Sequence, residues 1–477
     1  TANRNHYKII VDAISCQKIF FHPQPPFPAN HPRKGSHPRP KRKYPPPHPG
    51  FTALRKQHGN TVIGQVKVDD AILGMRGLPV MFYDGSALSP TTGITFRGHT
   101  IPEFCEKAQK APGGVEPLPE AMFFLLVTGR YPTNEEFNTL SKEWKALGDL
   151  SKSEIEFITN LPKTYHPMTM LSMAILNIQA HSKFFKAYQS GVNKAKYWEY
   201  YFDDSMDLLA KLPHICATIY RHKYHNGWLI KPDHSLDWAG NFSHMLGYNE
   251  LQMKECIRGY LSIHSDHEGG NVSAHTSMLV GSSLADPYLS FSAAMNGLAG
   301  PLHGLANQEC LKWLTELKDY HKGEKPSKAI IEEFVRKTLA SGRVIPGYGH
   351  AVLRNTDPRF MHLKSFADRN IKNDYICDLA RECFATIPGI LGTVGKIKNP
   401  YPNVDAFSGA LLQHYGTHTS TQAEIDDFFT VVFGVSRALG CLSNGIWSRV
   451  FGLPIERPNS IDLAFIENLG KEKEKKE

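Results

Sequence analysis

An all-α fold is what the sequence predicts, and three observations predict it. From about residue 100 onward, apolar residues recur at the three- and four-residue steps of helices. No alternating strand–helix series occurs, and the strand-like pieces are confined to a short stretch before residue 100, enough for a small sheet at most. The length of 477 residues suits two or three domain-sized units.

In chain order, the first 50 residues read as an arm rather than as folded protein. Eleven prolines lie between Pro23 and Pro49, with histidine and Lys/Arg filling much of the rest, so regular backbone hydrogen bonding is largely forbidden there. The arm also holds nine Lys/Arg against one acid, a local charge of +8 that equals the formal charge of the whole chain. The remainder is therefore neutral, which disfavours a nucleic-acid binder, because phosphate recognition needs cations clustered on a folded surface. A solvated tail, an interaction tail for an acidic partner and a remnant of a targeting segment are all compatible with this composition.

The strand-like pieces are Val62–Val68, Val80–Tyr83 and Gly93–Arg97. Thr133-Asn134-Glu135-Glu136 is a capping box, after which Phe137, Leu140, Trp144 and Leu147 lay one apolar stripe along a helix. Met206, Leu209, Leu212 and Cys216 repeat that spacing, with Pro213 expected to bend the helix. The most apolar long stretch, Met278–Ala306, is broken by Asp286, Pro287, Asn296 and Pro301, so no membrane span is expected. Val431–Val450 is another apolar helical tract, and residues 467–477 form a charged tail. Eight cysteines without a C-x-x-C pair fit reduced thiols.

Three polar clusters sit in glycine- or proline-punctuated turns between apolar helices, where side chains can face a cleft. They are His264–Gly270, Asn296–Gly304 and Pro346–Arg354, the last continuing to Arg359. The first offers metal-ligand residue types, yet H-E-x-x-H and any cysteine pair are missing, so no metal site is expected. Gly347-Tyr348-Gly349 imitates the start of a dinucleotide loop but has Val352 at the third glycine position, and Gly434–Ala438 imitates a nucleophile elbow but ends in alanine within a helical tract. His303 follows Gly300-Pro301, a good helix start, and is expected in a first helical turn. The macrodipole there disfavours a positive charge, leaving a neutral imidazole able to donate to a carbonyl. A purely structural histidine is the other reading of that position taken alone. Asp405, just past the proline-stiffened Asn399–Val404, suits a base that removes a proton from carbon next to a carbonyl. Arg359, Arg437 and Arg457 lie in apolar or proline-bounded settings and suit either salt bridges or bidentate recognition of carboxylates.

Taken together, HSDHEGGNVSAHT (264–276), NGLAGPLHGLANQE (296–309), SGRVIPGYGHAVLRNTDPR (341–359), NPYPNVDA (399–406), FGVSRALG (433–440) and ERP (456–458) resemble citrate synthase of the eukaryotic mitochondrial type. The likeness runs from about residue 57 to Pro458, and six motifs in one order make it specific. The resemblance implies condensation of acetyl-CoA with oxaloacetate and water, without a cofactor, in the mitochondrial matrix. By that resemblance His303 polarises the thioester carbonyl, Asp405 abstracts the methyl proton and His350 activates the ketone of oxaloacetate. His267, Arg359 and Arg437 resemble the carboxylate ligands, and Arg457 the arginine donated across a homodimer interface. CoA is expected against the backbone of Val344, Ile345 and Gly347, with Arg76, Arg354 and Lys194 near its phosphates. Lys194 stands where the family has an arginine, which keeps the charge but loses the fork.

The resemblance further implies a large helical domain (51–304 and 416–466) and a small one (305–415), closing on oxaloacetate. The loop 416–427 is about six residues longer than the family pattern. A 2-methylcitrate synthase using propionyl-CoA, and a structural or assembly protein on the same scaffold, are the alternatives.

Overall fold

The computed structural model describes residues 51–322, 327–394, 397–416 and 427–474. The proline-rich arm and most of the long loop after Gly416 lie outside the described residues. Two compact units divide the chain, residues 1–63 and 64–477. In the first, α1 (Phe51–His58) is a helix with no buried residue.

The second unit opens with α2 (Val68–Ile72) and an antiparallel meander of β1 (Ser86–Ser89), β2 (Gly93–Phe96) and β3 (His99–Thr100), with Ser86 opposite Phe96 and Thr95 opposite Thr100. Of the three expected strands only Gly93–Arg97 forms. Residues 62–67 and Val80–Tyr83 are extended or irregular and Val68 already begins α2, with Val62 at 80%, Val66 at 68% and Val80 at 64% exposure. β-branched residues favour a strand only where a neighbouring strand receives them, and neither segment pairs with one among the described residues.

Beyond Thr100 the unit is helical: α3 (Ile101–Lys107), α4 (Pro119–Thr128), α5 (Asn134–Leu147), α6 (Tyr197–Tyr224), α7 (Leu251–Ile263), α8 (Val272–Ser282) and α9 (Pro287–Leu298) come first. α10 (Ala306–Tyr320), α11 (Pro358–Asn370), α12 (Tyr375–Gly392), α13 (Asp405–Gly416), α14 (Phe429–Phe451) and α15 (Leu463–Glu474) follow, so the expected charged tail is helical as far as Glu474. The expected capping box is present: Thr133 accepts from the Glu136 N–H, and the Glu136 carboxylate accepts from the Thr133 N–H at 2.8 Å. Phe137, Leu140 and Trp144 then bury one face of α5 against α6. α6 runs unbroken through Pro213 and buries Met206, Leu209, Leu212 and Cys216.

α14 is the central element, packing on α4, α6, α7, α8 and α9. By length and composition it could cross a membrane, but its apolar window is 94% buried inside the fold, which makes it a core helix. α4 is buried on every side, so it too reads as uniformly apolar rather than striped. Helices α10, α12 and α13 pack on one another, α11 packs on α13, and α7, α3 and α14 touch this group through α11 and α10. Thr133→Ala is expected to lower stability by about 1 kcal/mol, read as a lower urea midpoint at unchanged slope.

Candidate active site

The three polar clusters meet because two turns sit against α14 and the third reaches the first where the His350 ring faces that of His267. The first turn, residues 264–271, links α7 to α8. Gly440 of α14 donates its N–H to the Ser265 carbonyl at 3.1 Å, and a Cβ there would lie 2.4 Å from that oxygen, so only glycine lets the helix backbone sit against the turn. The third turn, residues 341–357, is laced to 399–403. Asn403 donates its N–H to the Gly347 carbonyl at 2.9 Å and its side-chain amide to the Gly349 carbonyl at 2.9 Å, while Gly349 donates to the Tyr401 carbonyl at 3.0 Å. Gly347 has φ +77, and a Cβ on it would come 2.7 Å from Ala406 Cα, so the close approach that seats Asp405 requires glycine.

The second turn corrects the expected position of His303. It does not lie in the first turn of a helix; α10 begins at Ala306, with Leu305 as its N-cap. Residues 299–305 form a run of turns in which Gly304 donates back to the Leu298 carbonyl at 3.0 Å and His303 to the Gly300 carbonyl at 3.0 Å. Gly304 packs so tightly on Leu298 that the chain doubles back before any helix can start. Leu302, 99% exposed, faces away.

His303 is neutral for a different reason from the one expected. Burial, reinforced by the charges of Arg437 and Arg359, pushes it down to about 3. Its Nε2 accepts the Ser273 N–H at 3.2 Å and lies 2.9 Å from the Ser273 hydroxyl. A neutral ring that accepts at Nε2 carries its proton on Nδ1. His350 has the opposite arrangement: Nδ1 accepts the N–H of Val352 at 3.0 Å and of Leu353 at 3.1 Å, so the proton sits on Nε2. Burial, with Arg359 adding to it, pushes His350 down to about 4. His267 stands edge-on to His350, ring centroids 5.5 Å apart, and burial together with Arg359 and His350 pushes it well below the usual range. Its Nε2 is buried with no hydrogen-bond partner among the described residues.

Arg437 and Arg359 are both buried. Arg437 donates Nη1 to Asn271 Oδ1 at 2.9 Å and Nε to the His264 carbonyl at 3.2 Å, with its plane over the Phe433 ring. Arg359 pairs with Asp357 at 2.7 Å. Asp405 is the first residue of α13; its N–H donates to Asn403 Oδ1 at 3.0 Å, and its carboxylate accepts no hydrogen bond among the described residues. Burial pushes this carboxyl up to about 7, against the pull of Arg359 and Arg437.

The structure thus brings His267, His303, His350, Arg359, Arg437 and Asp405 into one mutually interacting set, since Arg359 acts on all three imidazoles and on Asp405. Ile345 and Gly347 are buried beside it and Val344 is 78% exposed. Arg76, Lys194 and Arg354 are exposed, and Arg354 turns Nη1 onto the carbonyls of Ala351, Val352 and Leu353. Arg457 is exposed and forms no hydrogen bond or ion pair among the described residues, although its neighbour Glu456 accepts from His275 Nε2 at 2.8 Å. Sequence reasoning missed Ser273, Asn271, Asp266, Tyr83 and Ser86, which hold the ring and guanidinium in place. Asn271 and Ser273 lie inside the HSDHEGGNVSAHT stretch, but nothing in their spacing reveals partners 166 and 30 residues away.

A carboxyl able to shed its proton near neutrality, beside imidazoles that each present one N–H, can take a proton from carbon and hold the resulting oxyanion. With buried guanidiniums alongside, this defines an all-α acid–base enzyme for a carboxylate-bearing substrate.

Residues 74–459 match the family described as citrate synthase, C-terminal domain. The mitochondrial citrate synthase of Tetrahymena thermophila is 54% identical over 417 residues, spanning 86% of this chain and 89% of its own length, and that of Xiphias gladius is 53% identical over 409 residues, spanning 86% of each. In fold, the chain is similar to Thermoplasma acidophilum citrate synthase, solved as a ternary complex with carboxymethyl coenzyme A and oxaloacetate. That match has a TM-score of 0.69 at 20% identity and covers 84% of this chain and 97% of the other. This chain belongs to the citrate synthase family.

The pH behaviour of the free enzyme follows from these charges. Asp405 keeps its proton up to about pH 7 while both donor imidazoles are already neutral above about pH 4. kcat/KM is therefore expected to fall about tenfold per unit as pH drops below 7, with no imidazole break between pH 5 and 8; a profile flat from 5 to 7 contradicts the raised carboxyl. Because the folded value lies above the unfolded one, this group's contribution to stability is complete below about pH 4 and lost as pH rises through 7. Asp405→Asn is thus expected to raise the unfolding midpoint at pH 8, by on the order of 1–2 kcal/mol after allowing for partial exposure.

Proposed function

We propose that this site condenses acetyl-CoA with oxaloacetate and water to give citrate and CoA, and that the opposed hydrogen bonding of His303 and His350 is the observation that carries the reading. With Nε2 occupied by Ser273, His303 offers Nδ1–H to the thioester oxygen while Asp405 removes the methyl proton, giving an enol held between the two. His350, with Nδ1 occupied, offers Nε2–H to the ketone of oxaloacetate, so the electrophile is polarised as the enol carbon attacks. A neutral imidazole serves both roles better than an imidazolium, because it stabilises the developing charge without protonating the reactant outright. Water then cleaves the citryl thioester. The reaction uses no cofactor, acetyl-CoA being a substrate.

Arg359, Arg437 and His267 take the carboxylates of oxaloacetate in this reading, and Arg457 of the partner subunit completes the set in a homodimer. Its exposure and its lack of a partner among the described residues support that role. Arg76, Lys194 and Arg354 serve the phosphates of CoA, with Val344, Ile345 and Gly347 lining its path. Residues 305–415 act as a small domain closing on the rest (51–304 and 416–466), a division favoured by the way α10, α11, α12 and α13 pack chiefly on one another. Closure excludes water until both substrates are in place. The mitochondrial names of the relatives favour the mitochondrion, and the chemistry its matrix.

Release of the CoA thiol, followed with oxaloacetate and acetyl-CoA, tests the activity, and the same assay with propionyl-CoA tests the acyl preference by relative kcat/KM. Asp405→Asn is expected to lower turnover by roughly 10²–10⁴-fold while oxaloacetate still binds; an active variant would overturn the base assignment. Arg457→Ala is expected to raise KM for oxaloacetate at least about tenfold in a protein that remains dimeric by gel filtration; an unchanged KM argues against donation across the interface.

A further inference from the structure

One thiol outside the site is set apart from every other described cysteine. Cys216, Cys256, Cys310, Cys377, Cys383 and Cys441 are buried, and desolvation pushes all six upward, which keeps them as inert thiols. Cys105, on α3, is partly exposed. Its sulfur lies 3.6 Å from Nδ1 of His362 on α11, and Nε2 of His362 lies 2.8 Å from Glu116 Oε2. Glu116 is 2% exposed, and its other oxygen accepts from Arg369 Nη2 at 2.9 Å. Thiol, imidazole, buried carboxylate and guanidinium therefore form one connected line that runs from a partly exposed sulfur through a buried carboxylate to an exposed arginine.

The direction of the protons follows from the partners. A carboxylate only accepts, so Nε2 carries a hydrogen, and an imidazole held protonated has a second one at Nδ1 aimed at the sulfur. Burial works to lower His362, but hydrogen bonding to Cys105 and Glu116 and their charges outweigh it and raise it to about 10. An imidazole nitrogen at hydrogen-bond distance from a sulfur can hold the proton that the sulfur gives up when it reacts.

We propose that Cys105, paired with His362 and Glu116, is a reactive modification site that is oxidised by hydroperoxides. In the step, the Cys105 thiolate attacks the terminal oxygen of the hydroperoxide. The O–O bond breaks as the S–O bond forms, and the departing alkoxide or hydroxide takes the Nδ1 proton of His362. The products are a sulfenic acid, a neutral imidazole and an alcohol or water; sulfur loses two electrons and the peroxide gains them. The site stands apart from the condensation chemistry, although His362 lies on the same helix as Arg359, one turn further on.

Limiting iodoacetamide on the folded enzyme at pH 7, with glutathione in the same tube as reference thiol and peptide mass spectrometry as readout, tests the pairing. Cys105 is expected to be alkylated about tenfold faster than glutathione and ahead of the six buried cysteines, and His362→Gln is expected to remove that advantage. Dilute hydrogen peroxide followed by a dimedone trap is expected to mark Cys105 in the wild type and to leave that peptide unmarked in Cys105→Ser. A wild-type Cys105 that reacts no faster than glutathione overturns the proposal, whether or not His362→Gln folds. Equal Cys105 rates in the wild type and a folded His362→Gln overturn the part given to the imidazole.

Discussion

A guanidinium that is 1% exposed, on the long, buried helix at the centre of the fold, is the constraint around which the site is built. Left alone, a buried cation of this kind would cost several kcal/mol. Arg437 is instead surrounded by acceptors: the His264 carbonyl, Asn271 Oδ1 and, at 3.5 Å, the Ser273 hydroxyl, with the Phe433 ring beneath it. The opposite charge comes from Asp266, which is wholly buried and accepts from Tyr83 at 2.5 Å and from Ser86 at 2.8 Å. Ser86 belongs to the small sheet and also accepts the Glu268 N–H at 2.8 Å. The sheet therefore matters less for its own hydrogen bonds than for fixing the counter-charge and the turn that carries His267.

The same cation sets the state of its neighbours. Together with Arg359 it opposes protonation of His303 and His267, and it draws Asp405 back toward ionisation against the larger effect of burial. Two kinds of group are thereby driven in opposite directions: imidazoles become poor bases that still donate, and a carboxyl becomes a base near neutral pH. An exposed histidine and an exposed aspartate would have the reverse order of proton affinity. Desolvation is what inverts it, so the chemistry depends on how completely water is kept from these side chains.

Much of this is legible along the chain. The Thr133 capping box, the α5 stripe, the continuous apolar run of α14 and the turns that hold the polar clusters are all local patterns, and local patterns read correctly. The failures are also instructive. Val62–Val68 has the composition of a strand but no partner to complete it, because pairing is decided by what lies alongside. Gly300-Pro301 has the composition of a helix start, yet Gly304 folds back on Leu298 and moves the start to Ala306. The neutral imidazole expected from a helix dipole is present, but burial and two arginines produce it.

The sequence by itself determined the helical class, the family and which residue types are available for acid–base work, because these are properties of spacing and of motifs a few residues long. Only the tertiary structure decided which nitrogen of each imidazole keeps its proton, and which buried carboxyl is held by hydroxyl donors and which accepts no hydrogen bond among the described residues. Those choices rest on partners brought together from distant segments: Ser273 with His303, Asp266 with Tyr83, Asn271 with Arg437. A proton's position is fixed by the nearest donor or acceptor in space, and that neighbour exists only once the chain has folded.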